Sequence, residues 1–310
     1  MAKPTFRAQA FEVQVPASSA NLGPGFDCFG LALGMHDRYI AQVIEGQTLD
    51  LDVAGEGADT VRRDDKNLLI KAMYKGFDFM GGKPRGLSVR ALNVIPHGRG
   101  LGSSASAIVG GLVLARALVL SGNDRMIDDE LLNIASEMEG HPDNVAAALF
   151  GGATIAWQED HHGSNVARAV SITVDPRIKV VAFIPTQSVA TSKARKLLPE
   201  SIPHSDAVAN STRSALLVHA LSQRPDLLFV STEDFLHQKY RQEAMPKSFA
   251  LVTKLRAAGV AAFISGAGPT VLVFHSGDAS EIAELHRAAG DNFAVQELAV
   301  SATGASVISA

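Results

Sequence analysis

Residues 96–106, P-H-G-R-G-L-G-S-S-A-S, carry the most concentrated chemistry in the chain. Gly98, Gly100 and Gly102 have no Cβ, so the backbone can turn tightly and bring its N–H groups against a ligand. Ser103 and Ser104 follow at the expected start of a helix, where unpaired N–H groups and the positive dipole end favour an anion. A serine hydroxyl there serves as a helix cap or as a hard oxygen for Mg2+. The expected occupant is a polyphosphate; the alternative is a serine-capped strand-to-helix turn without a ligand. Two familiar phosphate motifs fail on spacing. No lysine follows Gly102, as a P-loop requires, and glycines at 98, 100 and 102 do not fit the dinucleotide fingerprint.

Other polar residues each carry two readings. Asp27 is a turn residue after Gly25 or a site carboxylate, and Asp143-Asn144 is a helix-start cap before Val145 or a pair of site groups. Arg195 stands beside Lys193 and Lys196, as on a solvated cationic face. Yet Arg195 and Arg241 can each form a forked pair with a carboxylate. Glu137 and Glu139 lie two apart on a helix, so only one can face a given site. Cys28, the one cysteine, excludes an internal disulfide and reads as a small buried apolar residue. His161-His162 read as solvated loop residues, with no further ligand at metal spacing.

The elements that position these residues follow from periodicity. Residues 13–16 read as a strand running into a loop over 17–27. Residues 39–44 and 49–53 read as a hairpin around Gly46. Helical spacing over 67–80, through Leu69, Met73 and Phe77, precedes a strand over 87–95. The glycine loop then leads into a helix over 104–120, stopped by Ser121-Gly122-Asn123. A helix over 126–139 and a strand over 151–157 follow. The polar stretch 158–165 reads as a loop and as the boundary between domains 1–160 and 161–310. The second half reads as strands over 180–184, 261–264, 271–275 and 293–299, with helices over 207–222, 249–258 and 279–289. Mixed elements with hairpin-like returns predict an α+β protein.

Composition narrows the function classes. The 310 residues are 46% hydrophobic and 19% charged, enough to bury a sizeable core, and the net charge of −4 lacks the basic footprint of a nucleic-acid binder. The start lacks the apolar core of a signal peptide. The apolar stretch 105–120 is interrupted by Ser106 and Arg116 and is shorter than the roughly 20 residues that span a bilayer. A soluble cytoplasmic protein is expected.

G-L-G-S-S-A-S, residues 100–106, resembles the second conserved motif of the GHMP small-molecule kinases, which include galactokinase, homoserine kinase and mevalonate kinase. P-A-S-S-A-N-L-G-P-G-F-D, residues 16–27, resembles the first motif and S-G-A-G-P-T-V, residues 265–271, the third. They occur in the family's order and span nearly the whole chain. The resemblance implies a two-domain fold, with an N-terminal nucleotide-binding α/β domain and a ferredoxin-like C-terminal α/β domain. It also implies ATP as co-substrate and Mg2+ as its metal.

Within that superfamily, N-L-G-P-G-F-D (21–27), E-G-H-P-D-N-V-A (139–146), T-S-K-A-R-K-L-L-P (191–199) and D-F-L-H-Q-K-Y-R (234–241) resemble the homoserine kinases. The implied reaction is phosphorylation of the L-homoserine side-chain hydroxyl by ATP, in threonine biosynthesis; a homodimer is implied too. By resemblance Arg195 and Arg241 hold the substrate carboxylate with Thr191 nearby, and Asn21, Asp27 and Asn144 hold its amino and hydroxyl ends beside His141. Pro96, His97, Gly98, Arg99, Gly100, Leu101, Gly102, Ser103, Ser104, Ala105 and Ser106 line ATP, and Asn67 contacts the base. Ser104 and Glu139 match the Mg2+ ligands, with Glu137 as the competing carboxylate. Asn144 fills the place where some relatives put an aspartate base, which favours a reaction without a protein base; Asp143 is the rival. Ala147 departs from the proline common there, and His97 with Arg99 is one variant of a tolerant stretch. The alternatives are another GHMP kinase, of the mevalonate or diphosphocytidyl-methylerythritol type, or a nucleotide-binding protein of this fold without catalysis.

Overall fold

The computed structural model describes residues 3–161, 163–277 and 290–308, with Leu285, Arg287 and Ala288. Its frame is a long antiparallel pair, β1 (Phe11–Asn21) and β2 (Gly25–Ile44), running from Phe11↔Ala41 to Asn21↔Gly25 with register shifts after Pro16 and after Ala20. The loop expected over 17–27 is therefore mostly strand. Its small residues mislead a propensity reading; Ala17, Ser18, Ser19 and Ala20 are all buried, and their size lets neighbouring backbone approach closely.

The hairpin expected around Gly46 does not form. β3 (Leu49–Gly55) pairs in parallel with β4 (Gly86–Asn93), and β4 lies between β3 and β2. The intervening α1 (Leu68–Phe79) makes the crossover a parallel pair requires. Beyond β4, the phosphate-loop candidate enters α2 (Ser103–Leu118), followed by α3 (Gly122–Arg125), α4 (Asp128–Glu139) and α5 (Asp143–Phe150). Helices α1, α2, α4 and α5 pack with the sheet into one apolar core that includes Val13, Tyr39, Val89, Met73, Leu112 and Leu131.

Strands β5 (Ala153–His161) and β6 (Ser164–Ile172) pair across the stretch expected to be a loop. Its residues are polar because this end of the hairpin is exposed. Both strands belong to the first sheet, so the chain leaves that sheet after Ile172. The second sheet has the order β10 (Phe293–Leu298), β7 (Lys179–Pro185), β9 (Val271–His275), β8 (Ala261–Ile264), antiparallel throughout. Fourth-first-third-second is the order of a ferredoxin-like unit. With it go α6 (Thr191–Arg195), α7 (His204–Ser222), α8 (Leu228–Ser231) and α9 (Pro246–Ala257). The helix expected over 279–289 falls largely outside the described residues, as does His162. The last strand, β11 (Ser306–Ile308), returns to pair with β1.

Phe29, Leu31, Leu33 and Leu101 from the first half pack with Val180, Leu217, Phe263 and Leu272 from the second in a shared core. Burial of each large side chain contributes roughly 1.5–3 kcal/mol, so this seam holds the two halves firmly. Among the described residues no helix is long and apolar enough to cross a membrane.

Candidate active site

The glycine loop is clamped at both feet by one buried carboxylate. Asp37 accepts from the N–H groups of Val94 (2.6 Å) and Ile95 (2.9 Å) at the end of β4, and from Ser106 Oγ (2.9 Å) in the first turn of α2. Tyr39 OH also donates to it at 2.9 Å. Burial and the Asp37 charge hold the Tyr39 hydroxyl well above its ordinary pKa, so it remains a donor. The Ser106 side chain, expected at ATP, is thus spent inside this network. Leu101 and Ala105 are likewise buried, while Pro96 is half-buried at the loop's start.

Gly98, Gly100 and Gly102 adopt φ of +66°, +74° and +73°, the left-handed region that suits glycine. The loop carbonyls face outward to fixed donors. Val189 N–H reaches Gly98 O (3.0 Å), Thr270 N–H reaches Arg99 O (3.2 Å), Ser265 Oγ reaches Gly100 O (2.5 Å) and Ser18 N–H reaches Leu101 O (3.0 Å). The loop is thereby stitched to both of the other motif segments. Among the described residues, no hydrogen bond uses the N–H of Gly98, Gly100, Gly102, Ser103 or Ser104. Gly102 is the helix N-cap and makes no side-chain cap, which leaves those amides for an anion. Arg99 departs from expectation: its guanidinium binds the carbonyls of Pro185 (3.1 Å), His97 (2.5 Å) and Thr186 (2.5 Å), fastening the loop to the end of β7.

Ser104 Oγ donates to Glu139 Oε1 at 2.6 Å. Burial pushes the Glu139 carboxyl above its ordinary pKa, against the Ser104 hydrogen bond and the His141 charge. A half-buried carboxylate beside a hydroxyl is a donor set suited to Mg2+, which binds through one or two protein oxygens and completes its shell with phosphate and water. Glu137 is exposed near Lys75 (3.9 Å) and does not line the cavity that holds Glu139.

Asn21, Asp27, His141, Asn144, Thr191, Arg195 and Arg241 all line one cavity of about 200 Å³, with Gly100, Ser104 and Glu139 on its boundary. Their states differ. Asn21, at φ +73°, donates from Nδ2 to Gly266 O (2.9 Å) and accepts at Oδ1 from Asp27 N–H (3.0 Å), so its amide ties the first motif to the third. Asn144 Oδ1 accepts from Ser18 Oγ (3.0 Å). Asp143 is buried at the start of α5; its Oδ1 accepts from Asn144 N–H (2.6 Å) and meets His141 Nδ1 at 2.5 Å. Burial opposes a charge on His141, but the Asp143 hydrogen bond and the charges of Asp143 and Glu139 outweigh it and raise its pKa. Arg241, on a short helical turn (Lys239–Ala244), is only 2% exposed. Burial and the neighbouring Arg195 charge bring its pKa down to about 10, so it stays cationic at neutral pH.

Several site residues escaped the sequence reading. His237 donates from Nε2 to Gly23 O (2.8 Å) and receives Arg241 Nη1 at Nδ1 (3.1 Å), so it fixes the guanidinium. The i, i+4 spacing of His237 and Arg241 was the available signal. The Arg195 and Arg241 guanidinium groups both lie over the Phe26 ring, 5.6 and 5.3 Å from its centroid. A second, more apolar cavity of about 320 Å³ shares Ser103 and Ser104 with the first and is lined by Val53, Val61, Leu68, Asn93 and His97. Asn67 lines it too, but its side chain caps α1 through Leu69 N–H (3.0 Å) and donates to Arg62 O (2.7 Å).

Cys28 adjoins the site without taking part, and burial pushes its thiol up. Iodoacetamide is expected to alkylate it much more slowly in native protein than in urea near pH 7.5, because the thiolate is the reactive form. Equal rates by intact mass would contradict this.

Comparison with known proteins sets this geometry in context. Residues 67–152 match the model of the GHMP kinases N terminal domain, and residues 212–292 match GHMP kinases C terminal. A homoserine kinase of Streptomyces avermitilis is 51% identical over 308 residues, covering 99% of both chains. One from Mycobacterium tuberculosis is 45% identical over 289 residues, covering 92% of this chain and 90% of its own. The crystal structure of homoserine kinase from Cytophaga hutchinsonii shares the fold, with a TM-score of 0.81 at 23% identity over 99% of this chain and 100% of that one.

Proposed function

The chain belongs to the homoserine kinases of the GHMP kinase family, and we propose that it transfers the γ-phosphoryl group of ATP to the side-chain hydroxyl of L-homoserine. The products are O-phospho-L-homoserine and ADP, in threonine biosynthesis. The observation that carries this reading is the row of unspent amides from Gly98 to Ser104 at the junction of an apolar cavity and an arginine-bearing one. Phosphoryl transfer asks chiefly for positioning and charge stabilisation, which such a row supplies.

In this reading the base enters the cavity between Val53 and Leu68 and the phosphates lie on the loop amides. Arg241 and Arg195 bind the substrate carboxylate, while Asp27 receives its ammonium. Ser104 and Glu139 would hold Mg2+, which would supply neutralising charge to the phosphates. Asn144 cannot take a proton, and in a loose transition state the hydroxyl proton leaves late, so no protein base is needed. A coupled ADP-release assay across L-homoserine, mevalonate and galactose tests the assignment. Turnover confined to L-homoserine is expected, and preference for either other alcohol would overturn it.

The rival base is Asp143. Asp143→Asn keeps the shape of the side chain and an acceptor for Asn144 N–H, so kcat is expected to stay within about tenfold of wild type, whereas loss of a general base costs about 10²–10⁴-fold. A fall of several orders of magnitude with an unchanged circular dichroism spectrum would assign Asp143 as the base.

A further inference from the structure

Asp27 and Arg195 both line the cavity of the amino-acid site, and each already satisfies the other. Arg195 Nη1 donates to Asp27 Oδ2 at 2.9 Å and Nη2 donates to Oδ1 at 2.7 Å, a forked two-point pair. The side chains remain 37% and 35% exposed, so the pair is open to exchange with a ligand. Asp27 sits on a fixed base: its φ is +56° and its N–H is held by Asn21 Oδ1. Arg241, which also approaches the Phe26 ring, is different. It is buried, held by His237 and Gly266 O, and among the described residues it faces no carboxylate within ion-pair distance and its Nε has no partner. In a cavity whose lining also includes Glu139, His141 and Asp143, Arg241 is thus a standing cation and Asp27–Arg195 a self-neutralised ion pair.

We propose that the Asp27–Arg195 pair is a charge filter, which opens for an alcohol carrying both a carboxylate and an ammonium and resists one carrying only one of them. A zwitterion replaces both halves of the pair, giving its carboxylate to Arg195 and its ammonium to Asp27. A ligand with a carboxylate alone can reach Arg241, but it gains Arg195 as well only by drawing it from Asp27 and stranding that carboxylate beside a second anion. A ligand with an ammonium alone strands Arg195 beside Arg241. Removing one partner of an ion pair leaves the other uncompensated, and that penalty is the source of the discrimination.

This inference rests on the amino-acid site assigned above, and its test separates the two. Dissociation constants are measured by ligand-observed NMR, independently of turnover, for L-homoserine, 4-hydroxybutyrate (no ammonium) and 3-amino-1-propanol (no carboxylate). Asp27→Asn is expected to bind 4-hydroxybutyrate about fivefold or more tighter than wild type does, the scale of one freed charge partner, with no gain for 3-amino-1-propanol. Arg195→Met is expected to show the reverse. Both variants should bind L-homoserine more weakly. This crossed pattern cannot come from general damage to the fold. Absence of a gain in either variant, or equal changes for both half-ligands, overturns the filter. If the crossed pattern appears while wild type fails to turn over L-homoserine, the filter stands and the substrate assignment falls.

Discussion

Gly102→Ala is expected to lower kcat/KM by about 10²–10³-fold, the cost of losing one well-placed donor group at an anion site. Two effects combine. Gly102 sits at φ +73°, where a side chain is strained, and an added Cβ would press into Ser18 Oγ with the Ser18 backbone just behind it. Either the loop moves outward, carrying the Ser103 and Ser104 amides with it, or β1 yields. Because β1 is locked in register with β2 and Ser18 donates to Asn144, the loop is the part that moves. Steady-state kinetics with thermal melts distinguish this from unfolding, since the core beneath the loop is untouched. Ser18→Gly in the same chain removes the nearest contact and should recover part of the loss, a coupling between neighbouring sites. Wild-type kinetics in Gly102→Ala would show that the loop does not grip the nucleotide.

The sequence motif located the loop, because glycines before a helix start have a local meaning that needs no tertiary context. It could not show where each side chain is spent. Ser106 and Arg99 lie within the motif, yet one is held by Asp37 and the other by carbonyls at the end of β7, both far away in sequence. The position of β4 between β2 and β3 was hidden for a similar reason. A short polar turn at Gly46 suits a hairpin locally, and only the α1 crossover makes the parallel pairing available. Small residues in β1 read locally as loop because their value lies in close approach, which propensity does not measure. The paired state of Asp27 and Arg195 links residues 168 positions apart, and nothing in their spacing announces it.

Glu139→Gln is the second large effect, and it separates a metal-holding carboxylate from a structural one by moving activity and stability in opposite directions. Burial raises the Glu139 carboxyl above the ordinary value near 4.5, despite the Ser104 hydrogen bond that favours the charged form. The folded protein therefore holds this proton more tightly than the unfolded chain does. Its stabilising contribution is full below about pH 4.5 and is lost as pH rises through the elevated folded value. In the metal-free protein the charged form is desolvated, and the Ser104 hydrogen bond and the His141 charge offset that only in part. Glutamine removes that penalty and can still accept from Ser104 Oγ. Metal-free Glu139→Gln is thus expected to melt at or about 2 °C above wild type at pH 7.5, with the difference closing by about pH 4.5. Its kcat should fall by about 10²-fold or more, since neutral oxygen binds Mg2+ poorly and charge neutralisation at the phosphates is worth several kcal/mol. Added Mg2+ should raise the melting temperature of wild type in the presence of ADP and leave that of the variant unmoved. A variant that is both inactive and markedly less stable at neutral pH would make Glu139 a structural anchor for Ser104 instead.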